Sequence, residues 1–166
     1  VFDKLKRRLF AKVENRADHK AENLAVDDKK RAETAVCALL IEMAHFDDDF
    51  QEEEKRVILN LIEEKFNLSL EEANELMEVA EEERKESIDL WHFAKLINQN
   101  YSDGERVELL EMLWKVVYAD GYLDGKEDFL AHKLAKLLKL EHHDLIATKL
   151  RVNIPRKRNQ HKNTFN

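Results

Sequence analysis

A chain of 166 residues with 35 acids, 28 bases, 3 Gly and 1 Pro is long enough for one self-supporting domain and too poor in turn formers for a sheet. Leucine occurs 23 times against 10 Val, 7 Ile and 3 Thr, so an all-α domain is predicted. The single cysteine excludes an internal disulfide or a site of several thiolates, and no apolar run reaches the roughly 18 residues that span a bilayer.

The net charge of −7 is unevenly spread: +4 over 1–20, −16 over 21–150 and +5 over 151–166. An acidic body disfavours nucleic acid and suits a cation or another protein. With no signal peptide visible, the expected compartment is the cytoplasm. The basic ends would allow a peripheral position at the inner membrane face.

Residues 2–14 place Phe2, Leu5, Leu9 and Val13 on one face and bases on the other, a basic amphipathic helix that can meet an anionic membrane or dock on the body. Residues 15–27 read as a polar linker with room for a short helix, so 1–20 is taken as helix and linker and 28–150 as the domain. A first body helix over 29–46 turns Ala32, Ala35, Val36, Leu39, Leu40 and Met43 inward, with Cys37 as an inert small hydrophobe. After DDDFQ, a helix from Glu52 to about Phe66 buries Val57, Ile58, Leu61 and Ile62. Ser69 and Glu72 form a capping box opening a helix to about Arg84. Residues 88–99 give a helix with Leu90, Trp91, Phe93, Ala94 and Ile97 inward. Ser102 and Glu105 cap another, running to about Ala119 with Leu110, Leu113 and Trp114 inward. Two more follow, Gly125 to about Leu138 and His143 to Leu150, making about seven helices. Pro155 is expected to end regular structure and leave 151–166 a loose basic tail.

Two segments align at an offset of 73: Leu40 with Leu113, Ile41 with Trp114, Met43 with Val116, Asp47 with Asp120, Glu54 with Glu127 and Leu61 with Leu134. Each reads as helix, acidic turn, helix, so two related αα-hairpin units are expected to pack together.

Carboxylates at helix N-termini are favoured by free N–H groups and the helix dipole, which accounts for Glu52, Glu53, Glu54, Asp124 and Glu127. That reason does not cover Asp47 and Asp120 at helix C-termini, nor three consecutive aspartates at 47–49. A hard divalent cation does cover them. Asp47, Asp49 and Glu54 form one candidate ligand set, and Asp120, Asp124 and Glu127 the other, for weakly bound Ca²⁺ or Mg²⁺. Neither has EF-hand spacing. His45, His92, His132 and the pair His142–His143 suggest no further ligand set by spacing alone, and no phosphate loop, HExxH or triad signature is present.

The segments LLIEMAHFDDDFQEEEKRVILNLIEEKFNLSLEEANEL and LLEMLWKVVYADGYLDGKEDFLAHKLAKLLKL resemble the tellurite-resistance TerB family over roughly residues 30–145. The resemblance implies a single all-helical domain of two related halves and a role in bacterial stress responses linked to tellurite, phage or colicin resistance. It implies acidic, metal-associated positions at Asp47, Glu54, Asp120, Asp124 and Glu127, and membrane-linked complexes. The first turn departs from the second, with Phe46-Asp47-Asp48 in place of Ala119-Asp120-Gly121 and Gln51 in place of Asp124.

The expected function is a non-catalytic binding or scaffold domain, acting with another protein and a cation. The rivals are a metal-dependent hydrolase, which would need further histidines or carboxylates converging on the turns, and a membrane-surface module using the N-terminal helix.

Overall fold

The structure is a computed structural model that describes residues 19–45, 50, 52–87, 89–119, 123 and 125–162, with side chains described within 26–153. The basic helix expected over 2–14 lies outside these residues. Among the described residues there are seven helices and no strand: α1 (His19–Ala44), α2 (Glu52–Phe66), α3 (Leu70–Glu86), α4 (Trp91–Asn100), α5 (Asp103–Val117), α6 (Gly125–Leu137) and α7 (His142–Lys162).

Local chemistry sets most of the helix starts. Both capping boxes form: the Ser69 and Ser102 amides donate to Glu72 and Glu105 at 2.8 Å, and the Glu72 and Glu105 amides return bonds to the serine hydroxyls at 3.3 and 3.4 Å. Three glutamates in the first turn of α2 and Lys65 in its last suit the helix dipole. Asp89 opens α4 by accepting from the Trp91 and His92 amides at 2.8 and 3.4 Å.

The centre of the core is α1, which packs against α2, α3, α4, α5 and α6. From Ala35 to Ala44 every residue except Glu42 is buried. The run is therefore apolar all round rather than on one stripe, and Ala35, Cys37 and Ala38 are small enough to let neighbouring helices approach. Burial, with the Glu81 charge adding to it, pushes the Cys37 thiol up to about 12, so it stays protonated and acts as packing.

Three expectations fail. α1 begins at His19, so most of the expected linker is helix. The stretch HKAENLAVDD contains no Gly or Pro, and extending a formed helix costs little. Trp91 is not in the core: it is 57% exposed, with the Lys95 ammonium 5.2 Å from its ring centre. Phe93, Ala94 and Ile97 are buried as expected. α7 runs through Pro155 to Lys162. Proline forfeits one N–H bond to the carbonyl four residues back, and the flanking residues carry the helix on.

The two candidate hairpins do pack, α1 on α2 and α5 on α6, but the hairpin is not the main packing unit. α1 lies more extensively on α3 and α4, and α5 on α7. The aligned pairs Leu40/Leu113, Ile41/Trp114, Met43/Val116 and Leu61/Leu134 are all buried. α2 and α6 also end alike. Asn67 and Lys139 take left-handed φ of 53° and 56°, and the next amides, Leu68 and Leu140, close back on Glu63 and Ala135 carbonyls at 3.1 and 2.9 Å. A lysine pays a steric penalty there that glycine avoids. Lys139→Gly is expected to stabilise the fold by about 0.5–1 kcal/mol in urea unfolding. A destabilisation would show that the Lys139 side chain matters more than its backbone.

Candidate functional site

Asp47, Asp49, Asp120 and Asp124 lie outside the described residues, so the structure places two of the six candidate ligands. Glu54 and Glu127 are each the third residue of their helices, α2 and α6. Both stand where the first turn offers unpaired N–H groups and the positive end of the dipole. Glu54 is half-buried and Glu127 is only 5% exposed. The 73-residue offset therefore relates two carboxylates that each stand third in their helix.

At the first turn, the His45 ring stacks on Phe50 across the connection, with centroids 4.5 Å apart and 28° between planes. His45 Nε2 stands 3.6 Å from Glu81 on α3. Arg84 bonds Glu81 through Nε and Nη2 at 3.0 and 3.2 Å, and Glu42 on α1 through Nη1 at 2.9 Å. This fork fastens the end of α3 to the end of α1. Burial lowers the His45 pKa, and the adjacent Arg84 charge lowers it further against the pull of Glu81 and Glu42. Burial opposes ionisation of Glu81, but the Arg84 hydrogen bond and charge outweigh it and hold the carboxyl below its usual range. Of this network, sequence spacing exposes only Glu81 and Arg84, three residues apart on one helix. The partners on α1 are some forty residues distant and carry no local signal.

At the second turn, Trp114 is fully buried, and its Nε1 donates to Thr148 Oγ1 at 3.2 Å. Its ring stacks with Tyr118 at 6.0 Å between centroids. Lys149 on α7 reaches between α5 and α6, its ammonium 5.1 Å from the Trp114 ring centre and 2.6 Å from Asp128 Oδ1. His132 Nδ1 lies 2.8 Å from the Asp128 carbonyl and 3.6 Å from its carboxylate. Asp128, next to Glu127, is thus held by a base on the neighbouring helix.

The histidines do not gather at the described ends of the turns. His45 faces Glu81, the His132 and His142 rings sit 6.0 Å apart, and His143 pairs with Asp144 at 3.1 Å. Among the described residues no set of three or more His, Cys, Asp or Glu side chains is grouped as for a metal ion, and no helix is long and apolar enough to cross a membrane.

No curated protein and no solved structure gave a significant match. A family model described as Tellurite resistance protein TerB does match, over residues 33–150. That span takes in the core of α1, both acidic turns and the packed part of α7, and the chain belongs to the TerB family.

Proposed function

We propose that this chain is a non-catalytic binding or scaffold domain of a bacterial stress-response system of the tellurite-resistance kind, holding a divalent cation at its acidic turns and acting through another protein. The observation that carries this reading is the family match across residues 33–150, because TerB is a non-catalytic family. The protonated, buried Cys37 is in keeping with it, since a thiol held near 12 is no nucleophile at neutral pH.

For the cation, the donor set is all carboxylate, the oxygen chemistry that Ca²⁺ and Mg²⁺ prefer. Glu127 fits such a role, a carboxylate that is nearly buried beside the second turn. Asp120, Asp124 and Glu127 would hold one ion, and Asp47, Asp49 and Glu54 the other, with carbonyls and water completing each shell. The ion would draw together aspartates that otherwise repel and so shape the turn surface. Sparse sets of this kind bind weakly, on the order of 10⁻⁴–10⁻³ M. A cytoplasmic location, with the basic N-terminal segment touching anionic lipid at the inner membrane face, belongs to the same reading.

Affinity capture from the native cell with the full chain, in millimolar Ca²⁺ or Mg²⁺ and again with chelator, tests the reading. A specific protein retained with metal and lost with chelator is expected. Equal recovery in both conditions would separate partner binding from the cation and remove the cation from the function.

A further inference from the structure

The outer face of the α6–α7 pair combines features found nowhere else among the described residues. Phe129 is 68% exposed, Ile146 37% and Leu150 53%. The other large exposed hydrophobics, Val26, Leu70 and Trp91, stand singly on α1, α3 and α4. Asp128 meets Lys149, and His132 faces His142, so α6 and α7 run antiparallel past each other. That register sets Phe129 level with the turn of α7 that lies between Ile146 and Leu150. Leu130, Leu134, Leu145 and Thr148 are buried on the opposite sides of the same helices. The three apolar side chains therefore share one outward face, and clustering of this kind, rimmed by charge, marks interaction surfaces.

The charge of this region is opposite to that of the body. Residues 125–153 hold six bases against four acids, in a chain whose net charge is −7. Lys133 and Lys136 are exposed on α6 beside Phe129.

We propose that this face docks an acidic amphipathic helix of a partner protein, its apolar residues resting on Phe129, Ile146 and Leu150 and its carboxylates meeting Lys133 and Lys136. The proposal rests on the binding-domain reading and names the surface and the partner chemistry. A helix laid along two others presents apolar anchors at i, i+4 and i+7. Charge complementarity selects an acidic partner. A second copy of this chain is a poor occupant. Its acidic helices α2 and α3 spend Ile58, Leu61, Ile62, Ala73, Met77 and Ala80 in its own core.

The test uses the full chain and two synthetic helical peptides with Leu at i, i+4 and i+7, one flanked by Glu and one by Lys. The acidic peptide is expected to bind saturably by fluorescence anisotropy, more weakly as salt rises, and to shift amides clustered over 126–153. The double variant Phe129→Ser, Leu150→Ser is expected to lose about tenfold in affinity. Both side chains are exposed, so the variant should keep its helical circular dichroism. Equal binding of the two peptides, shifts centred elsewhere, or an unchanged double variant overturns the proposal. So does phosphatidylglycerol-vesicle sedimentation or concentration-dependent self-association that the double variant abolishes, since either gives the face another occupant. If the double variant captures the same cellular partner as the unaltered chain, this surface is wrong while the binding-domain reading stands.

Discussion

Trp114→Ala is expected to destabilise the domain by about 3–5 kcal/mol, a large share of the 5–15 kcal/mol that holds a typical domain folded. Trp114 is wholly buried on α5 and fastens α7 to it through the 3.2 Å bond to Thr148 and the Lys149 ammonium over its ring. Alanine removes the ring, leaves a cavity and frees Lys149 from one of its two contacts. Trp114→Phe should cost less, because most of the volume stays. Thr148 Oγ1 also keeps its bonds to the Asp144 and Leu145 carbonyls at 2.7 and 3.0 Å. Urea unfolding followed by circular dichroism reads both variants. A loss below about 1 kcal/mol for the alanine variant would mean that α7 is not held through this residue.

Arg106→Ala is expected to cost about 2–3 kcal/mol, for a different reason. Arg106 is buried on α5, donates to Asn98 Oδ1 on α4 at 2.9 Å and to the Leu138 carbonyl at 2.7 Å, and pairs with Asp103. Asn98 donates in turn to the Leu137 carbonyl at 2.8 Å. Two of the carbonyls left without helical partners at the end of α6 are thus satisfied by side chains from α4 and α5. Removing the guanidinium leaves the Leu138 carbonyl and the Asn98 oxygen to find new partners. Arg106→Lys can reach only one of them and should recover only part of the loss. Faster amide exchange over 134–141 in the alanine variant is the local sign. Unchanged stability and exchange would show that water replaces the guanidinium at no cost.

The two residues are visible in the sequence to different degrees. Trp114 sits in phase with Leu110, Leu113 and Val117, and its burial follows from helical period alone. Arg106 looks like one more surface base near Glu105 and Glu108. Only the fold brings Asn98 and the α6 terminus to it. The same division holds elsewhere. The boxes at Ser69 and Ser102 and the bounds of α2 rest on contacts within four residues, so they can be read directly. The start of α1 at His19 and the passage of α7 through Pro155 depend on helix extension, which competes with weak local breakers. Trp91 departs from the pattern because an apolar residue at a helix N-terminus has two possible sides, and here Phe93 and Ala94, in the same first turn, are the ones buried.

For the candidate site, the sequence alignment at an offset of 73 pairs Glu54 with Glu127, and each stands third in its helix, α2 and α6. It could not reveal the clasp of Arg84, Glu42, Glu81 and His45 beside the first turn, or the Lys149–Asp128 contact beside the second. The clasp joins helices about forty residues apart, and the second contact bridges 21 residues between α6 and α7, so neither has a local signal. They hold the described ends of the turns by ion pairs, and the fold is expected to survive Asp120→Asn and Asp48→Asn alike.

Cation binding at the turns is tested most directly by titrating the full chain with Ca²⁺ and with Mg²⁺ while following backbone-amide NMR shifts. The expected result is saturation on the order of 10⁻⁴–10⁻³ M, with shifts clustered at residues 118–128 and smaller ones at 46–54, and affinity weakened more by Asp120→Asn than by Asp48→Asn. A spectrum unchanged at millimolar metal, or a uniform drift over the acidic surface without saturation, would contradict it and leave helix capping as the reason for these carboxylates.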